Sequence, residues 1–193
     1  MMLPVLLGYL TGSVPFAFLM ARRAGIDVRF SGSGNVGAAN VLRTTGAWRG
    51  VAVMALDVGK GIAAVAIAWV MSGGAAPAAV SGAAAVVGHV YPVWLRFHGG
   101  KGVAVAAGVF TMLSPLATAI AAGLFLVTVW ITRYVSLGSI AATLALPPVA
   151  WLIGEPRAVV LSAAGSAALI LFRHRSNWRR LRSGTERRVG ART

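Results

Sequence analysis

A glycine-rich polar segment near the start of the chain has the residue types of a phosphate site. Residues 30–43 read Phe-Ser-Gly-Ser-Gly-Asn-Val-Gly-Ala-Ala-Asn-Val-Leu-Arg. Glycines let successive backbone N–H groups converge on one anion. Ser33, Asn35 and Asn40 add neutral hydrogen-bonding groups, and Arg43 can hold a phosphate with two hydrogen bonds. The segment also matches the Gly-x-Gly-x-x-Gly fingerprint of dinucleotide sites, but we reject that match because such a site needs a βαβ unit. A flexible connector is the alternative to a phosphate site.

A second glycine-rich segment comprises Gly99, Gly100, Lys101 and Gly102 and precedes a predicted helix. Amides at a helix N-terminus together with one lysine favour an anion. The segment lacks the spacing and hydroxyl residue of a Walker A loop, which disfavours nucleotide hydrolysis, and a plain loop with a surface lysine is the alternative. Just upstream, His89 ends the preceding run, and both a functional role and a histidine satisfied by the backbone stay open.

Two later segments add further polar groups. Ser136 belongs to a short Thr-Arg-Tyr-Val-Ser element and supplies a hydroxyl beside a cation. His174 and Asn177 follow the last apolar run and are three residues apart, so a helix would point both side chains the same way. The same region is basic and could simply contact anionic lipid.

Asp57 and Lys60 lie three residues apart inside an apolar run. They therefore share a helical face and can pair. Ionisable groups at membrane depth are expensive and tend to face a protein interior or a polar pocket. Structural pairing and attraction of a substrate both remain open for this pair.

The composition indicates an integral membrane protein. Of 193 residues, 58% are hydrophobic and 11% are charged, and the mean hydropathy is +0.78. That leaves too little polar surface for a soluble domain. The net charge of +14 comes from cations placed between apolar runs, so an anionic membrane surface and phosphorylated substrates are expected rather than nucleic acid. The absence of cysteine excludes disulfides and thiolate chemistry.

The apolar runs predict an all-α, polytopic fold. The 29-residue run 103–131 is interrupted by Ser114-Pro115 and could form one tilted helix or two shorter ones. Cationic loops stay in the cytoplasm, and the two most basic loops, 22–49 and 173–193, carry five and eight arginines. Both loops lie on one side of the membrane only if an even number of spans separates them. Two helices in place of one within residues 103–131 make that number even, so the loop charges favour two shorter helices.

We therefore predict seven transmembrane helices, with the N-terminus outside and the C-terminus in the cytoplasm. Residues 1–193 would form one transmembrane domain, and the fourth and fifth helices would be short. The predicted spans are about 2–21, 50–71, 78–95, 103–113, 116–131, 137–153 and 158–172. The abundance of alanine and glycine predicts close helix packing.

The absence of several catalytic motifs from the sequence limits the reaction mechanisms that the protein could use. The sequence contains no His-x4-Asp pair, no Gly-x-Ser-x-Gly elbow and no pattern typical of a metal site. We expect no metal and no cofactor. A chain this poor in acids and bases suits an already activated substrate, with catalysis by positioning and by stabilisation of negative charge.

Seven short motifs, in the same order along the chain, resemble those of the PlsY family of bacterial acyl-phosphate:glycerol-3-phosphate acyltransferases. The resemblance runs from Met1 to about Arg188. The motifs are Gly12-Ser13-x-Pro15, the segment from Ser31 to Gly46, Asp57-x-x-Lys60-Gly61, Gly88-His89-x-x-Pro92, Gly99-Gly100-Lys101-Gly102-Val103, Arg133-Tyr134-Val135-Ser136-Leu137, and the closing segment from His174 to Glu186. Two departures are Ala39, where threonine is usual, and Trp178, where isoleucine is usual.

The resemblance implies transfer of an acyl group from acyl phosphate to the 1-hydroxyl of glycerol 3-phosphate, giving 1-acylglycerol 3-phosphate and phosphate, the first acylation of phospholipid biosynthesis. It implies that the following residues are catalytic: Ser33, Arg43, Lys101, Ser136, His174 and Asn177. The following are expected to bind substrate: Asn35, Asn40, Lys60, Gly99, Gly100 and Gly102. Glu186 and Asp57 are expected to be structural. The donor's own phosphate could take the attacking proton.

The resemblance also implies an enzyme of the bacterial inner membrane, in contact with lipid, with its active site on the cytoplasmic face. We expect a monomer, although the sequence does not indicate the oligomeric state. A transporter or translocator of a phosphorylated molecule is the alternative. Transport predicts polar groups near the midplane and on both faces, whereas here, apart from Asp57 and Lys60, they lie on one side. A structural membrane protein would need neither glycine-rich segment. The sequence does not indicate the preferred acyl length.

Overall fold

A computed structural model describes residues 2–190, and within that range every regular element is helical. Met1 and residues 191–193 of the expected domain lie outside the described residues. The all-α prediction is confirmed for the described part. The α-helices are α1 (Met2–Ser13), α2 (Phe16–Arg22), α3 (Ala38–Thr45), α4 (Ala47–Ser72), α5 (Ala75–Val90), α6 (Val103–Leu113), α7 (Pro115–Thr132), α8 (Val135–Leu152), α9 (Arg157–Arg173) and α10 (Arg175–Arg182), with a 3-10 turn at Val93–Leu95.

Five segments are long and apolar enough to cross a membrane. They are Met2–Arg22, Ala47–Ser72, Ala75–Leu95, Pro115–Thr132 and Val135–Leu152. Helices α9 and α10 make a sixth candidate if they count as one span bent by 54°. Helix α6 has 11 residues, and at about 1.5 Å per residue it covers only about half of a bilayer core roughly 30 Å thick. The number of seven spans therefore stays a prediction.

The structure interrupts the long apolar run where the sequence suggested. Helix α6 ends at Leu113 and α7 begins at Pro115, whose ring suits the first position of a helix. One expectation was wrong: α7, the fifth predicted helix, has 18 residues and is long enough to cross.

The first predicted span is broken rather than continuous. Helices α1 and α2 are separated by Val14 and Pro15. Proline has no N–H to donate and disfavours helical geometry in the residue before it, which explains the break. At the break, the carbonyl of Val14 accepts the N–H of Phe16 at 3.1 Å and has a second lone pair for a partner elsewhere in the fold.

Glycines bring the central helices into backbone contact. Helix α1 packs on α5, and a Cβ at Gly12 would overlap the backbone of Ala85. Helix α4 packs on α6, where a Cβ at Gly61 would overlap the carbonyl of Val105. Such contacts through small residues are typical of membrane bundles, and the expectation of close packing is confirmed.

Exposed tryptophans lie near both ends of the bundle. Tryptophan rings favour the level of the lipid headgroups, so two belts are the pattern of a membrane-embedded bundle. The exposed rings are Trp48, Trp94, Trp130 and Trp178 at one end and Trp69 and Trp151 at the other. The first of these ends also carries the loops with the polar motifs.

Candidate active site

Polar segments that are distant in the sequence meet at one end of the bundle. Lys101, just before α6, donates a hydrogen bond from Nζ to Oδ1 of Asn177 on α10. Arg173, at the end of α9, donates to the carbonyls of Gly99 at 3.0 Å and Gly100 at 3.3 Å. The second glycine-rich segment is therefore held against the C-terminal part of the chain.

Three further contacts bring in the remaining segments. A Cβ at Gly100 would lie 2.6 Å from the carbonyl of Val36, so the two glycine-rich segments touch. The backbone N–H of Val189 donates to the carbonyl of Arg133 at 2.8 Å, and Arg188 Nε donates to the hydroxyl of Tyr134 at 3.1 Å. All four polar segments thus share one face.

Asn40 organises the first glycine-rich segment. Its side-chain oxygen accepts the backbone N–H of Ser33 at 2.9 Å, and its NH2 group donates to the carbonyls of Val28 and Ser31, each at 3.0 Å. Asn40 is fully buried. Both N–H groups of its side chain are engaged by backbone carbonyls, so Asn40 acts as a scaffold rather than as an exposed ligand.

The same segment bends through glycines in left-handed geometry. Gly32 and Gly34 have φ of +62° and +70°. A Cβ at Gly32 would also overlap Oδ1 of Asn40. Ser33, between these glycines, is exposed, and Asn35 is half-buried. The predicted hydroxyl ligand is thus accessible.

Arg43 lies in the last turn of α3 and faces the C-terminal segment. Burial, followed by the nearby charge of Arg187, lowers the pKa of Arg43, and Glu186 opposes that shift. Among residues 2–190, no protein acceptor binds its guanidinium. The group is free to hold an anion.

The amides predicted to bind an anion in the second segment are partly occupied. The N–H of Gly99 donates to the carbonyl of Val90 at 3.1 Å, and that of Gly100 donates to the carbonyl of His89 at 3.2 Å. These two residues therefore offer no free amide to a ligand. In the described part of the chain, free amides begin at Lys101 and continue through Gly102 into the first turn of α6.

Lys101 lies among cations. Burial lowers the pKa of Lys101 to about 8; Glu186 opposes the shift, while Arg180, Arg43 and Arg173 add to it. Its hydrogen-bond partner is the neutral side chain of Asn177. No carboxylate pairs with Lys101 within the described residues.

Glu186 anchors the partner of Lys101. Its carboxylate accepts from Asn177 Nδ2 at 2.7 Å and from Arg180 Nε at 2.7 Å. Although burial raises the pKa of Glu186, the hydrogen bonds that it accepts lower the pKa below its ordinary value. With its NH2 group held by Glu186, Asn177 turns its oxygen towards Lys101. This arrangement agrees with a structural role for Glu186.

His174 and Ser136 border the same site. His174 Nδ1 lies 2.8 Å from the carbonyl of Ile170, so Nδ1 carries the proton and Nε2 keeps its lone pair. Burial and the nearby Lys101 lower the pKa of His174 to about 4, so the ring is neutral at pH 7. Ser136 is buried beside Glu186, and its hydroxyl forms no well-aligned hydrogen bond within residues 2–190.

Asp57, Lys60 and His89 lie elsewhere, between the helices. Lys60 Nζ is 2.9 Å from Asp57 Oδ1 and 3.0 Å from His89 Nδ1. The expected pairing of Asp57 with Lys60 is present, and both groups are buried. Lys60, expected to bind substrate, forms no hydrogen bond with Lys101 or Asn177 in the described part of the chain. His89 is bound by a side chain rather than by the backbone.

Sequence reasoning missed Arg173, whose guanidinium clamps the second glycine-rich segment. It also gave Arg180 no role, although Arg180 holds Glu186. The available signal was position, because Arg173 directly precedes His174. Among the residues that the structure describes, no three metal-ligating side chains lie together.

The arrangement is suited to binding anions and placing two of them side by side. Arg43, Lys101 and Arg173 face a region where Glu186 supplies the negative charge. One carboxylate cannot neutralise that many cations, so the site has an excess of positive charge. His174 offers a neutral acceptor at its edge.

Comparison with known proteins agrees with this chemistry. A family model described as glycerol-3-phosphate acyltransferase matches residues 2–184. A glycerol-3-phosphate acyltransferase of Geotalea daltonii is 47% identical over 178 residues, covering 92% of each chain. One of Agrobacterium fabrum is 45% identical, covering 97% of this chain and 91% of its own.

Solved structures give the same result. The crystal structure of PlsY, an integral membrane glycerol 3-phosphate acyltransferase, in its glycerol 3-phosphate form superposes with a TM-score of 0.94 at 41% identity, covering 98% of this chain and 95% of that one. The lysophosphatidic acid form of PlsY gives a TM-score of 0.91 at 40% identity, with the same coverage.

Proposed function

The chain belongs to the glycerol-3-phosphate acyltransferase family, and from that premise we propose that its donor is an acyl phosphate and its product 1-acylglycerol 3-phosphate. It is a membrane enzyme of the PlsY type, and glycerol 3-phosphate is a substrate of its family. In the proposed reaction the 1-hydroxyl oxygen bonds to the acyl carbon and the bond from that carbon to the phosphate oxygen breaks. The hydroxyl proton and the leaving phosphate account for the remaining atoms.

The state of Lys101 is the observation that supports this proposal most. A half-buried ammonium whose hydrogen-bond partner is neutral and whose neighbours include three arginines is short of negative charge. An acyl phosphate supplies that charge, and its phosphate also becomes more negative as it leaves. Lys101 and the free amides from Gly102 onward would stabilise this development. Gly99 and Gly100 contribute carbonyls that Arg173 holds, rather than amides.

Glycerol 3-phosphate fits the other half of the site. Arg43 would grip its phosphate with two hydrogen bonds, and the exposed Ser33 and nearby Asn35 would add neutral contacts. Asn40 would act indirectly by keeping Ser33 in place. The substrate hydroxyl would then lie towards His174.

The proton transfer follows from the state of His174. Its Nε2 lone pair can accept a hydrogen bond from the substrate hydroxyl and orient it. With its pKa near 4, His174 is too weak a base to keep the proton. We therefore assign the final proton to the departing phosphate, while His174, Ser136 and Asn177 orient the reacting groups.

An open groove of about 640 Å³ beside His174 is suited to the acyl chain. Apolar side chains of α8 and α9 line it, including Ile140, Leu144 and Leu171. Arg175 and Arg179 also line it. A chain there would lie along the membrane helices with its carbonyl towards His174.

The proposed topology has seven spans in one domain, with α6 as the short fourth one. The N-terminus would lie outside and the glycine-rich segments in the cytoplasm, because the basic loops share one end of the bundle. The protein would act as a monomer in the bacterial inner membrane.

Purified protein in lipid nanodiscs, given acyl phosphate and glycerol 3-phosphate, tests the proposal. We expect equimolar release of phosphate and 1-acylglycerol 3-phosphate, with no requirement for acyl-CoA or acyl carrier protein. Uptake of glycerol 3-phosphate into sealed vesicles without acylated product would instead favour transport. Activity only with a thioester donor would contradict the assignment of the donor.

A further inference from the structure

Asp57, Lys60 and His89 form a buried cluster that the proposed reaction does not use. Their exposed fractions are 2%, 5% and 9%. Charged groups at membrane depth are costly, and an apolar pair would fill the space at less expense. A function other than simple helix packing would explain their presence.

On one side, the cluster holds the break between α1 and α2. Lys60 Nζ donates to the carbonyl of Val14 at 2.8 Å, beside the N–H of Phe16, and lies 5.6 Å from the centre of the Phe16 ring. With Asp57 at 2.9 Å, the ammonium joins α1, α2 and its own helix. Lys60 therefore connects the break to α4.

On the other side, the cluster reaches the second glycine-rich segment through His89. An ammonium only donates, so His89 Nδ1 accepts from Lys60 at 3.0 Å, and the neutral ring carries its proton on Nε2. The Nε2 edge lies against Gly100 so closely that a Cβ there would overlap it. The carbonyl of His89 also accepts the N–H of Gly100 at 3.2 Å. His89 supports Gly100 from both its ring and its backbone.

We infer that Asp57, Lys60 and His89 are positioning residues for the segment Gly99–Gly102. Asp57 pairs with Lys60, Lys60 donates a hydrogen bond to His89, and both the His89 ring and the carbonyl of Val36 pack against Gly100. Lys101, the next residue, is thereby kept against Asn177 and near the charge of Arg43. The kinetic part of this inference rests on the proposed function, because it assumes that the segment binds acyl phosphate.

The experiment compares two ways of disrupting the cluster with a matched control. The double variant Asp57→Asn/Lys60→Met leaves no unpaired charge buried, and His89→Leu removes the link to Gly100. Ser162→Ala is the control, since it deletes a buried hydrogen bond of 2.8 Å from α9 to Ala79 at the other end of α5. All three are measured as full-length protein in nanodiscs.

Hydrogen exchange gives the readout that is independent of activity. We expect the amides of Gly99 and Gly100 to exchange at least about tenfold faster in both cluster variants. Ser162→Ala should lower the melting temperature without changing those amides. Unchanged exchange at Gly99 and Gly100 in a folded cluster variant would overturn the inference, whatever the enzyme's donor is.

Kinetics give the second readout. A displaced segment should raise KM for acyl phosphate about tenfold while KM for glycerol 3-phosphate changes less than about twofold. Equal changes in both constants, or in neither, would overturn the positioning role. If the wild-type protein used no acyl phosphate, the proposed function would fail while the exchange result still tested the inference.

Discussion

The two lysines of the chain lie in opposite electrostatic environments. Lys60, between the helices, has a carboxylate, a carbonyl and an imidazole within 3.0 Å of its ammonium. Lys101, at the end of the bundle, donates to the neutral Asn177 and has arginines as its other charged neighbours apart from Glu186. The first cation is satisfied by the fold, and the second is not.

The difference indicates where ligands bind. A buried cation with a full set of partners stabilises an arrangement of helices. Removing one partner leaves an unpaired buried charge, which destabilises the folded protein. A cation left with an excess of its own sign destabilises the folded protein until an anion arrives. Excess charge, rather than the presence of a lysine, is therefore the basis on which we propose the phosphate site at Lys101.

Replacing Lys101 by methionine should produce the largest effect. Lys101→Met keeps the apolar stem and removes the ammonium, and we expect turnover to fall about 10³-fold, as for loss of a key transition-state donor. Melting should stay unchanged or rise, because an uncompensated cation is removed. Phosphate release and thermal unfolding measure the two effects. Arg182→Met, on the outer face of α10, is the control; a Lys101→Met enzyme within tenfold of that control would break the comparison.

Arg43→Ala should give the next largest loss, about 10²-fold in kcat/KM, through weaker binding of glycerol 3-phosphate. Arg43→Lys should recover only part of it, because lysine supplies a point charge and not a planar fork. The matched control is Arg49→Ala, whose guanidinium is engaged by Thr45 at 2.9 Å and by the Trp48 ring. Similar losses at positions 43 and 49 would contradict the assignment.

Much of this arrangement could be predicted from the sequence because its signals are local. The helix break at Ser114-Pro115 follows from proline geometry and loop charge. The grouping of Arg43, Lys101 and Asn177 at one end follows from counting spans between basic loops. Periodicity and charge suffice for both, since neither depends on side-chain contacts.

The remainder depends on contacts between distant residues. That the amides of Gly99 and Gly100 are occupied follows only once α5 is known to turn back onto them. His89 was left open because its partner Lys60 is 29 residues away. Arg173 carries no local sign of the carbonyls it binds. Spacing along one helix indicates which residues can pair, but it does not indicate which pairs are satisfied.

Glu186→Gln should give the third largest loss of activity and tests how Lys101 is positioned. Glutamine can keep one of the two contacts to Asn177 and Arg180 but loses the charge that anchors both. We expect kcat to fall about tenfold because Asn177 no longer fixes Lys101. Asp27→Asn, which disrupts an exposed ion pair with Arg29, serves as the control. A rate equal to that of Asp27→Asn would mean that Glu186 does not act through Asn177.

The pH dependence should give the smallest effect and reports on Lys101 itself. Its pKa is lowered from 10.5 to about 8. Raising the pH from 7 to 8.5 therefore removes most of the positive charge of Lys101 in the free enzyme. The donor's phosphate carries one substituent, as in a phosphate monoester, and is likewise dianionic above about pH 6. Over that interval kcat/KM for the donor should therefore fall roughly fourfold by the titration of Lys101 alone. Stability should change in the opposite direction. Between pH 8 and 10.5 the unfolded chain binds the proton that the folded chain has lost, so the contribution of Lys101 to the free energy of unfolding rises with pH. Lys101→Met should abolish this contribution, as judged by difference melting curves against the wild type, whereas Asp57→Asn/Lys60→Met should keep it. A kcat/KM profile that is flat to pH 9 in the wild type would show that Lys101 keeps its proton and that the two lysines differ less than their surroundings suggest.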